Sequence, residues 1–135
     1  MFTNFQHMDI YSDIHPFVET SILLGSNNDS AEDRYINANR IKSPYGEPDD
    51  ENLMIAAQGP IDSSIRGFWK MAVQENVGMI VTLVQKIPGD CHQYFPTSVN
   101  QTETRGEMKI TLNNIDKSQN FVVRRDFTVE DTRSS

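Results

Sequence analysis

Leu53-Met54-Ile55-Ala56-Ala57 is a short apolar run closed by Gly59-Pro60, and the stretch that follows it decides the fold. Ile65, Phe68, Trp69 and Ala72 recur at i, i+3, i+4 and i+7, which lines one face of a helix. Asp62, Ser63 or Ser64 can cap its start, and Gly78 fits just past its end. Met79-Ile80-Val81-Thr82-Leu83-Val84 is then apolar but for Thr82, the pattern of a strand buried on both faces. Strand, helix and strand in this order predict a crossover onto a parallel sheet.

Upstream, Pro16 disfavours helix at His15, and Ile22-Leu23-Leu24 suits a short strand. Residues 25–33 read as a loop of Ser, Asn, Asp and Gly. Tyr35 to Ile41 reads as a strand, and residues 42–51, with three turn-forming Pro and Gly, as a second loop. Downstream, Met108, Ile110 and Leu112 alternate with Lys109, Thr111 and Asn113, a half-buried strand. Lys117 to Asn120 makes a turn, and Phe121 to Val129 supplies an antiparallel return strand. The class is α+β, with a mixed, twisted sheet flanked by helices.

The chain has 135 residues and a formal net charge of −7, which fits one domain and offers no broad basic face for nucleic acid or an anionic membrane. No apolar run approaches the roughly 20 residues of a membrane span. The first residues carry neither a basic nor an apolar signal region, and a single cysteine suits a reducing compartment; together these predict a cytoplasmic protein. His7, His15, His92 and Cys91 show no metal-ligand spacing, and GxxxxGK[ST], GxGxxG and GxSxG do not occur. No cofactor is therefore expected. A reactive thiolate needs a positive setting, whereas Asp90 precedes Cys91, so that thiol is expected to be a buried, inert one. Arg124-Arg125 is read as a solvated strand edge, and Trp69 as core.

Four stretches in register resemble one family. Tyr11-Ser12-Asp13-Ile14, followed by Pro16-Phe17, is similar to an N-R-Y-x-D-[VI]-x-P-[FY] loop. Asp33 to Asn39 resembles D-Y-I-N-A-[SN]. Ile55 to Pro60, with Phe68-Trp69-Lys70-Met71, resembles A-T-Q-G-P and F-W-x-M, and Cys91 to Pro96 resembles K-C-x-Q-Y-W-P. Together they look like the N-terminal half of a protein tyrosine phosphatase domain, across roughly residues 8–133.

The resemblance implies hydrolysis of phosphotyrosine through a cysteinyl-phosphate intermediate in complete members. Tyr11 would be the wall for the phosphotyrosine ring, and Asp13 would clamp the backbone amides of a substrate peptide. Cys91 would be the family's non-catalytic core cysteine. The nucleophile belongs to an H-C-x5-R motif, which would need Arg where Thr97 stands; the acid belongs to a W-P-D loop, whereas Lys70 follows Trp69. Residues 1–135 thus read as a partial domain that ends before both loops, without catalysis of its own. A phosphotyrosine peptide, bound weakly, and a complementing phosphatase half are the implied partners. The alternative is a non-catalytic interaction module built on the phosphotyrosine loop. Ile10 in place of Arg, Ala57 of Thr, Asp90 of Lys or Arg and Phe95 of Trp depart from the family pattern.

Overall fold

The computed structural model describes residues 6–11, 14–42 and 54–133. After a 3-10 turn at Gln6–Met8, the elements are α1 (Ala31–Arg34), β1 (Ala38–Ile41), β2 (Met54–Ala57), α2 (Ile65–Gln74), β3 (Thr102–Arg105), β4 (Met108–Asp116) and β5 (Arg124–Asp131). The chain is α+β. β1 pairs with β2, and β3, β4 and β5 form a second sheet in that order, all antiparallel. The expected loop at 42–51 lies outside the described residues beyond Lys42.

α2 forms where the apolar stripe predicts it. Ile65, Phe68, Trp69 and Met71 are buried, and Trp69 Nε1–H donates to the Tyr94 carbonyl at 2.7 Å. Phe68, Trp69, Tyr94, Phe95 and Phe127 then pack edge-on or tilted, with centroids 4.8–6.2 Å apart. Such pairs add about 1 kcal/mol each beyond their buried area. β4 joins this core with Met108 and Ile110, and these and Leu112 are each fully buried, as their alternation predicts. Ile22 and Leu24 close the other side: Ile22 N–H donates to the Ala38 carbonyl, and Ser21 bridges to Asn39. The apolar run at 22–24 therefore edges β1, as a bridge and not a full strand.

Three expectations are corrected. Gly78 is not the helix stop: Asn76 takes φ 51°, and Val77 and Asn76 N–H groups bond back to Ala72 and Val73 carbonyls, closing the end two residues earlier. Residues 79–84 form no strand, and the parallel crossover is not made among the described residues. A doubly buried strand needs backbone partners on its sides, and none of the described strands pairs there, so Met79 (80%), Val81 (71%) and Leu83 (90%) stand exposed. β3, finally, is a strand that apolar periodicity does not reveal, since Thr102-Glu103-Thr104-Arg105 carries no apolar residue.

Candidate functional site

Asp9 is buried in the segment that leads into Tyr11, and its carboxylate is the hub of the site. Tyr35 Oη–H donates to both carboxylate oxygens, at 3.0 and 2.9 Å. Asn37 Nδ2 donates to Oδ1 at 3.1 Å and to the Ile14 carbonyl at 2.9 Å, so one side chain holds both flanks of Tyr11. His15 Nδ1 lies 3.2 Å from Oδ2. Tyr35 and Asn37 belong to the turn between α1 and β1, which places them beneath this loop. Burial, the bond to Asp9 and the charge of Asp9 push the Tyr35 phenol well above its ordinary range, so it stays a donor.

Gln58, just past β2, ties the same segment from the other side. Its Nε2 donates to the Met8 carbonyl at 3.2 Å, and its Oε1 accepts from Ile10 N–H at 2.9 Å. Ile14 N–H donates to the Tyr11 carbonyl at 3.3 Å. Tyr11 itself is 61% exposed. The buried Asp9 and the half-buried Asn37 and Gln58 thus anchor both flanks of a ring that faces solvent. Asp13 lies outside the described residues.

Cys91 sits apart from this loop, buried in the core. Burial first, and the Asp90 charge second, push its thiol above the ordinary range, so it stays a neutral packing group. The Asp90 carboxylate accepts the Gln85 and Lys86 N–H groups, both at 3.0 Å, and so closes the 85–90 turn. His92 Nδ1 pairs with Asp62 at 2.8 Å on the surface. Among the described residues no cluster of three His, Cys, Asp or Glu could hold a metal ion.

A cleft of about 160 Å³ opens on the far side of Tyr35, lined by His7, Glu32, Asp33, Ser63 and Arg66 among others. It is no phosphate cradle, because Arg66 is already engaged: it donates to both Glu107 oxygens, at 2.7 and 3.2 Å, and to Asp33 at 3.0 Å. His7 likewise meets Glu32 at 3.1 Å.

The comparisons with known proteins agree with the four motifs. The family model described as protein-tyrosine phosphatase matches residues 6–135. The chain belongs to the protein-tyrosine phosphatase family. It is 34% identical over 119 residues to human tyrosine-protein phosphatase non-receptor type 7, covering 87% of this chain and 31% of that protein. It is 33% identical over 117 residues to tyrosine-protein phosphatase non-receptor type 20 of Rattus norvegicus, covering 84% and 26%. With receptor-type tyrosine-protein phosphatase C of the same species it shares 37% identity over 94 residues, covering 67% and 7%. The chain spans about a third or less of the length of these relatives. No helix among the described residues is long and apolar enough to cross a membrane.

Within the phosphatase family's motifs, the residues that sequence reading passed over are those beneath the loop. Gln58 and Asn37 stand inside matched motifs without a role assigned from sequence. Asp9 stands where the N-R-Y motif begins with Asn, and a lone acidic residue in a polar segment reads as solvated.

Proposed function

We propose that this chain carries the substrate-recognition side of a tyrosine phosphatase domain. Tyr11 is the wall for a phosphotyrosine ring, and Asp13 the clamp on the substrate's backbone. The phosphatase reaction needs a thiolate in a cradle of donors and a general acid. These 135 residues hold no H-C-x5-R and no W-P-D, and the single cysteine is buried. Residues 1–135 therefore act as a partial domain that does not turn over phosphotyrosine alone and is completed by a C-terminal phosphatase half. The working compartment is the cytoplasm, in line with the cysteine usage.

One observation carries this reading: Tyr11 is exposed while both its flanks are tied to Asp9, Asn37 and Gln58. A side chain serving only to pack would be buried, not held out to solvent between two anchored flanks.

Mixing the purified chain with the C-terminal half of a related phosphatase domain tests it. Aryl-phosphate turnover is expected from the mixture and not from either half. If the mixture stays inactive while the chain alone captures phosphopeptides, the non-catalytic interaction module replaces this reading. Turnover by the chain alone, lost in Cys91→Ser, would overturn it outright.

A further inference from the structure

We propose that Asp9 fixes His15 as its Nδ1–H tautomer, and that this bond, with the Asn37 amide, is the clasp that holds the two flanks of Tyr11 together. The inference rests on the reading of Tyr11 as a recognition wall. Asp9 and His15 flank Tyr11, and the Asp9 side chain is fully enclosed while that of His15 is 29% exposed. An ionised carboxylate only accepts. Tyr35 Oη–H and Asn37 Nδ2–H already donate into it, so the imidazole nitrogen 3.2 Å from Oδ2 completes the set by donating too. The other ring nitrogen, Nε2, is then the acceptor.

Two side chains therefore tie the flanks of Tyr11 together, through three bonds. His15 Nδ1–H reaches back to Asp9, and Asn37 spans from Asp9 to the Ile14 carbonyl. An amide at position 9 would break the first. Its carbonyl would keep Tyr35 and Asn37, its NH2 would face His15, and Nδ1 would have to accept. The carboxylate at position 9 and the histidine at position 15 thus work as a matched pair. Both are positioning residues, since neither needs to touch a substrate.

The test is NMR of the whole chain with isotope-labelled histidine, at about pH 8.5, where an ordinary imidazole is neutral. The wild type should show the Nδ1–H signature for His15. Asp9→Asn should move it to Nε2–H and speed exchange of the Ile14 amide about tenfold, the effect of losing one such bond. Tyr35→Phe removes a different donor and should leave the tautomer unchanged. Nε2–H in the wild type, or an unchanged tautomer in folded Asp9→Asn, would overturn the clasp. Should Asp9→Asn fail to fold, the wild-type and Tyr35→Phe spectra still decide it. No phosphate ligand enters these spectra, so a failed clasp leaves the recognition reading standing, and a failed reconstitution leaves the clasp standing.

Discussion

Cys91 shows how far a single residue can be read. The thiol is 2% exposed, and its Cβ lies so close to Gly59 that a methyl there would come within 2.9 Å of it. With its ionisation suppressed by burial and by the Asp90 charge, native Cys91 should alkylate at least about a hundredfold more slowly than in denaturant. Equal rates in a thiol-trapping experiment would contradict this. An acidic neighbour, where a reactive thiolate needs a positive setting, made the inert thiol legible from sequence. The job of Asp90 was not legible, because accepting two turn N–H groups depends on the path of residues 85–90. Asp9 was hidden for the same reason: its donors come from residues 26 and 28 positions away.

At the scale of elements, apolar spacing revealed α2 and β4: Ile65, Phe68, Trp69, Met108, Ile110 and Leu112 are buried as it predicts, while in α2 Met71 is buried and the predicted Ala72 only half so. It missed β3, which has no apolar side chain, and it misjudged 79–84, where the apolar content is real but no described strand pairs with it. The β3–β4 turn is held by Gly106 at φ 60° and by Glu107, whose carboxylate receives Arg66 and Arg133. A Cβ at 106 would meet Arg66 Cδ at 2.7 Å. Gly106→Ala should therefore cost about 1–2 kcal/mol, read by urea unfolding. At Glu107, burial raises the carboxyl's proton affinity, but the Arg66 bond, its own backbone amide and the two guanidinium charges outweigh it and hold the carboxyl below its ordinary range. A depressed carboxyl stabilises the fold above its unfolded value and loses that contribution as pH falls through the folded one. Glu107→Gln should thus lower stability at neutral pH, by about 1 kcal/mol after solvent screening, and the gap to wild type should close as the pH falls through and below the ordinary carboxylate range. A gap that stays constant across that range would contradict the assignment.

Across the described residues, apolar side chains face solvent at Phe17-Val18, at Met79 to Leu83 and at Phe121 to Val123. Such surface promotes association. Replacing Val81 and Leu83 together with Lys should reduce self-association in light scattering while changing stability by less than about 0.5 kcal/mol. A large loss of stability would mean that these side chains are packed. The family was legible in four short motifs, and the anchoring of Tyr11 was not, because it is made by residues brought together only in the folded chain. The most direct test of the recognition reading is the activity of the reconstituted halves on two substrates. Tyr11→Ala should lower turnover of a small aryl phosphate and of a phosphopeptide alike, about tenfold or more, since both present the ring. Asp13→Ala should lower turnover of the phosphopeptide about tenfold and spare the aryl phosphate, which offers no backbone amides. Equal losses on both substrates for Asp13→Ala, or no loss for Tyr11→Ala, would contradict it.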